Sequence, residues 1–136
     1  MSGMKIAGLM NPSRDNIELI FECIHKVTGV TKEQAITKNR QRNRVVARNF
    51  AAVLMREVLG MGLVEIGQEL GGRNHATMIH ALKAHGMDHD NDPKYAWRFK
   101  EVMMMLGVGS YIVLEYTGII DKIEKDLSRQ LPVEQN

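Results

Sequence analysis

Ile17, Ile20, Phe21, Ile24 and Val27 recur at intervals of three and four residues, the spacing that lays one face of a helix on a core. Asn11 and Pro12 stand just ahead of them, a cap and then a proline in the first helical position, and Gly29 follows as a stop. Thr31-Lys32-Glu33-Gln34 has the form of a capping box and predicts a brief helical turn through Ile36. From near Arg44 a second stripe, Val45, Val46, Phe50, Val53, Leu54 and Val58, predicts a long helix up to Gly60 with Arg48, Asn49 and Arg56 facing outward.

Leu63 to Leu70 reads as a short amphipathic helix and His75 to His85 as another, separated by Gly71-Gly72, which permits the positive φ of a tight turn. Ile66, Leu70, Met78, Ile79 and Leu82 are expected to join this pair to the long helix before it. Asp92-Pro93 repeats the cap-then-proline start and opens a helix through Tyr95, Phe99, Val102 and Leu106 that stops at Gly107. Ile112, Val113, Tyr116, Ile119, Ile120, Ile123 and Leu127 keep helical spacing, so a last helix is expected despite their β-branched content. The predicted fold class is all-α, with residues 11–106 as the domain, 1–10 as a flexible N-terminus and 107–136 as a C-terminal helical extension. Two short helices around a glycine turn, with small polar residues opening the second, have the form of a helix-turn-helix that presents side chains to the major groove of DNA.

Charge sharpens that picture. The net formal charge is only +2, but Lys38, Arg40, Arg42, Arg44, Arg48 and Arg56 fall between Thr37 and Glu57 with no acid among them, whereas residues 115–136 hold five acids against three bases. A positive pole on one segment attracts polyanions even when the total nearly cancels. Taken alone such a run is as often a solvated face as a nucleic-acid site. At 136 residues the chain is long enough to bury a core without disulfides or metals. Cys23 is the only cysteine, so it is expected to pack as a small hydrophobe in a reducing compartment, and the cytoplasm is the expected location. No run approaches the length of a membrane span, and no membrane partner is expected.

Other chemistry is harder to support. Asp88, Asp90 and Asp92 alternate as at the start of a calcium loop, but Pro93 and Phe99 stand where its glycine and its bidentate glutamate belong. His85 and His89 would suit zinc only on an unbroken helix with a third ligand, and Gly86 argues for a solvated loop from His85 to Asp92 instead. The ten methionines, Met103 to Met105 included, read as adaptable core filling. No nucleophile, base and carboxylate can be assembled from spacing. No enzyme, metal or cofactor is expected.

Ile66-Gly67, followed by Gly71-Gly72-Arg73-Asn74-His75-Ala76-Thr77-Met78, with Val45-Val46-Ala47-Arg48 upstream, resembles the C-terminal DNA-binding domain of the bacterial replication initiator DnaA family. The resemblance runs from about Asn16 to Leu106 and implies a helix-turn-helix bundle that binds short asymmetric duplex boxes. It implies that Arg40 enters the minor groove, with Lys38 beside it and Arg42 as helper; an A·T-rich minor groove suits a guanidinium. It assigns Arg48 and Asn49 to groove and phosphate contacts, Arg56 to a phosphate, Arg73 to the DNA backbone, and Asn74, His75, Ala76 and Thr77 to the base edges. His80 and Lys83 lie further along the same helix; Lys83 is open to phosphate, and His80 to phosphate or to partial burial.

Two positions depart from the family signature Gly-Gly-Arg-Asp-His-Thr-Thr-Val. Asn74 replaces its Asp and Ala76 its first Thr, so an altered box preference is expected. The chain holds no Gly-x-x-x-x-Gly-Lys-[Ser/Thr] loop, and the domain is expected to act without an ATPase of its own, short of a complete initiator. Marking an origin, competing with a full initiator and regulating transcription all stay open. So does docking of a replication protein, or of a second copy of the chain, through the C-terminal helix. A metal-dependent activity at the His85–Asp92 loop is the enzymatic rival.

Overall fold

A computed structural model describes residues 9–108, which form six helices and, among the described residues, no strand. They are α1 (Arg14–Thr28), α2 (Lys32–Ala35), α3 (Arg42–Glu57), α4 (Leu63–Glu69), α5 (His75–Asn91) and α6 (Pro93–Leu106). The all-α helix-turn-helix bundle expected from the sequence is therefore the observed fold. The expected helix through Ile112–Leu127, and most of the N-terminal stretch 1–10, lie outside the described residues.

α3 is the axis of the bundle, with α1, α2, α4 and α5 packed around it. Phe50, Ala51, Ala52, Val53, Leu54 and Met55 are all fully buried, so this helix has no solvent face along its middle. The outward orientation expected for Arg48 and Asn49 is therefore wrong; they are 8% and 4% exposed. The physical reason is the set of alanines at 47, 51 and 52, whose small side chains let neighbouring helices approach on sides that the apolar stripe leaves open. Arg56 is only partly exposed, beside Glu57 at the far end of the helix.

α1 opens two residues later than Asn11-Pro12 predicts. Ser13 Oγ accepts from the Asn16 N–H at 3.2 Å, and Asn16 donates its side-chain amide to the Asn11 carbonyl, which holds Pro12 ahead of the first turn. Gly29 ends the helix as expected. Both bonds of the Thr31–Gln34 capping box form, at 3.1 and 3.0 Å. Cys23 is buried in the core. Arg14 reaches from α1 to grip both oxygens of Glu69 on α4, at 2.9 and 2.7 Å.

α5 departs most from expectation, continuing through Gly86 to Asn91 where a loop was predicted. His85 explains it. The ring is 1% exposed, 4.4 Å from the Phe99 ring and 2.5 Å from the Tyr95 hydroxyl, so packing holds that turn against the roughly 1 kcal/mol that a helical glycine costs. Asp92 then caps α6 by accepting from the N–H groups of Lys94 and Tyr95, with Pro93 in the first turn and Gly107 at the close, as the sequence predicts. Met103 fills the core, but Met104 and Met105 are 64% and 53% exposed, contrary to their reading as core filling. Unlike α3, α6 is covered on one face only, and Met104 and Met105 fall on its open side.

Candidate nucleic-acid interface

The turn between α4 and α5 begins at Gly67. Its carbonyl accepts from the Gly72 and Arg73 N–H groups at 3.0 and 2.9 Å, and a Cβ on Gly67 would fall 1.9 Å from the Arg73 carbonyl oxygen. Gly71 follows at φ +86°, where a Cβ would meet the Ile36 carbonyl oxygen at 2.3 Å. That close approach seats the end of α2 directly on the turn. Ile66, Leu70, Met78, Ile79 and Leu82 are all buried in the contact with α3, as predicted.

Two arginines lock the basic loop into this corner. Arg48 donates to the carbonyls of Ala35 at 3.0 Å, Thr37 at 2.9 Å and Asn39 at 2.6 Å. Arg73 donates to the Ile36 carbonyl at 3.2 Å, to the Thr37 carbonyl at 2.6 Å and to the Leu70 carbonyl. Both guanidiniums thus share the Thr37 oxygen. Burial draws the Arg48 pKa below the usual arginine level, helped by the charges of Arg73 and Arg44, and burial does the same to Arg73. With the carbonyls of the loop turned inward, Lys38 and Arg40 stand exposed on its outer side.

A groove of about 690 Å³ runs between this loop and α5, lined among others by Lys38, Arg40, Asn49, Arg73, Asn74, Thr77 and His80. Segments remote in sequence are thereby brought to one surface. Asn49, only 4% exposed, forms part of the floor of this groove. His80 is exposed on the groove, which removes the alternative of partial burial. Ala76 is exposed in the first turn of α5, while His75 and Lys83 are half-exposed and outside the groove lining.

Asn74 caps α5. Its side-chain oxygen accepts from the Thr77 N–H at 2.8 Å and from the Thr77 hydroxyl at 3.0 Å. Besides its expected place among the base readers Asn74 thus has a second role, one signalled in the sequence by an Asn directly ahead of the first helical residue, His75.

Two predicted contact residues lie elsewhere. Arg42 opens α3 on another side, 3.2 Å from Asp88 and 3.7 Å from Asp92, with its guanidinium 5.8 Å from the centre of the Tyr95 ring. Its expected place beside Arg40 is lost because two residues of a loop entering a helix point in different directions once the helix begins. Arg56, 3.8 Å from Glu57, lies beyond the groove. His85 and His89 do share an unbroken helix, against expectation, with ring centres 5.8 Å apart. Among the described residues no group of three or more His, Cys, Asp or Glu is placed to hold a metal, and no helix is long and apolar enough to cross a membrane.

Residues 17–84 match the family model described as the bacterial dnaA protein helix-turn-helix. The chromosomal replication initiator protein DnaA of Thermomicrobium roseum is 40% identical over 65 residues, 48% of this chain and 14% of its own length. That of Symbiobacterium thermophilum is 29% identical over 94 residues, 69% of this chain and 20% of its own. That of Chloroflexus aurantiacus is 32% identical over 89 residues, 65% and 19% respectively. The chain thus spans a fifth or less of these relatives. No solved structure matches it.

Proposed function

The chain belongs to the bacterial DnaA helix-turn-helix family and carries its DNA-binding domain, and from that premise we propose that it binds duplex DNA at short, asymmetric, DnaA-box-like sites, in replication initiation or its control, with no ATPase step of its own. The observation that carries this reading is the groove shared by the basic loop and the start of α5. A loop arginine in a minor groove and a helix in the adjacent major groove lie on either side of one sugar-phosphate strand, and a groove between the two elements has the form to take that strand. Arg40 supplies the minor-groove contact, Asn74 to Thr77 the base contacts, and Lys38, His80 and Lys83 contacts to phosphate. Arg42 and Arg56 lie away from the groove beside acidic partners and take no direct part in it.

The test is fluorescence-anisotropy binding to a duplex bearing a DnaA-type box and to a scrambled duplex, at two salt concentrations, for wild type and His75→Ala. The expected result is a preference for the box that His75→Ala abolishes. Equal, strongly salt-dependent binding to both duplexes would sink sequence recognition and leave a basic scaffold. Docking of a replication protein or a second copy is the other reading, favoured by Trp97 and Met104, exposed seven residues apart on one face of α6. The absence of binding to either duplex would turn the search to it.

A further inference from the structure

The cap on α5 determines which way the Asn74 carboxamide faces. A backbone N–H can only donate, so the atom that accepts from Thr77 N at 2.8 Å is the oxygen, and the assignment of the amide needs no further choice. The oxygen is turned to the helix end and the NH₂ group is turned away from it. Thr77 is oriented by the same atom. Its hydroxyl hydrogen goes to the Asn74 oxygen at 3.0 Å, which leaves the lone pairs of the hydroxyl as its outward group. Both residues are exposed, and both line the groove beside the basic loop.

We infer that Asn74 offers a donor and Thr77 an acceptor to the DNA, so that the base facing Asn74 must carry a major-groove acceptor and cannot be cytosine. This rests on the reading of the groove as a DNA interface. Guanine offers N7 and O6, adenine N7 and thymine O4, whereas cytosine offers only its amino group, a second donor. An aspartate in the same place would cap the helix with one oxygen and present the other, an acceptor that suits the cytosine amino group. Asn74 therefore reverses the polarity of one position in the code. The reversal costs the fold nothing, because Asn and Asp cap helices equally well.

The experiment selects duplexes from a randomised library with the full chain, for wild type, Asn74→Asp and Thr77→Val, and then measures affinity for the selected site with each of the four bases at each position. Wild type should disfavour cytosine at one position by about 5- to 150-fold, and Asn74→Asp should favour cytosine at that same position. The added negative charge lowers affinity for all DNA alike, so the ratio between bases is the readout. Thr77→Val should lose discrimination at a different position, where an adenine or cytosine amino group is read. An Asn74→Asp profile identical to wild type, with affinity uniformly lower, would overturn the inference and leave the DNA interface standing. No base preference at any position in wild type would overturn sequence recognition and the inference with it.

Discussion

Arg48 is the residue on which sequence and structure most disagree, and its replacement separates two physical roles. In Arg48→Met the aliphatic stem and most of the volume remain, and the hydrogen bonds to the carbonyls of Ala35, Thr37 and Asn39 are lost. Hydrogen bonds to a charged donor contribute about 1.5–3 kcal/mol each, but these three do not count equally. Ala35 is buried and its carbonyl would be left without a donor, whereas Thr37 keeps Arg73 and Asn39 lies in an exposed segment that water can reach. Removing the guanidinium also removes the burial cost that depresses its pKa. A net loss of about 2–3 kcal/mol follows, which lowers the melting temperature of a domain this size by about 10–20 °C, read by circular dichroism. Box affinity should fall because Arg40 loses its fixed presentation, while the salt dependence of binding stays that of wild type. A phosphate contact behaves oppositely, reducing the slope of log affinity against log salt by about 0.9 with little effect on melting. Arg48→Lys sharpens the contrast, since one ammonium keeps the charge but cannot fork across three carbonyls. A variant that melts like wild type with a shallower salt slope would refute the clamp.

Arg40→Ala should lose about 1–3 kcal/mol on A·T-rich boxes, much less on G·C-rich ones, and leave melting unchanged; equal loss on both would place Arg40 on phosphate instead. Gly71→Ala should destabilise by more than the roughly 1–2 kcal/mol of a left-handed backbone, because the added Cβ also meets the Ile36 carbonyl, and wild-type melting would disprove that contact. His85 is held neutral by burial and, secondarily, by His89, so its folded pKa lies well below the usual histidine value. Below about pH 6.5 the unfolded chain binds the proton that the folded chain refuses, so stability should fall by up to about 1.4 kcal/mol per pH unit as pH drops through that range. His85→Gln should flatten this dependence in denaturation curves, and an unchanged profile would assign the acid sensitivity elsewhere.

The helix-turn-helix was legible because local signals and packing agree there. Gly71-Gly72, the capping box at Thr31 and the Asp92-Pro93 start each act within a few residues, and each forms as written. What sequence could not show is decided by neighbours far along the chain. Arg48 looked like a surface cation because nothing within its own helix reveals that carbonyls of the preceding loop converge on it. Gly86 looked like a break because the aromatic contacts of His85 come from α3 and α6. Lys38 and Arg40 of the basic run meet Asn74, Thr77 and His80 of the signature helix on one groove, whereas Arg42 and Arg56 of the same basic run do not reach it. Charge along a sequence carries no direction in space.

The Thr37 carbonyl, held at once by Arg48 and Arg73, joins the basic loop to the turn of the helix-turn-helix through a single oxygen atom. If DNA lies along the groove as proposed, the two elements are the jaws of a caliper whose opening does not adjust. One base pair inserted between the stretch read by the loop and the stretch read by α5 would displace them by about 3.4 Å and rotate them by about 35° relative to each other. A flexible arm would absorb such an insertion, but jaws pinned at a common atom cannot, and the spacing inside the site becomes as much a part of its identity as its bases.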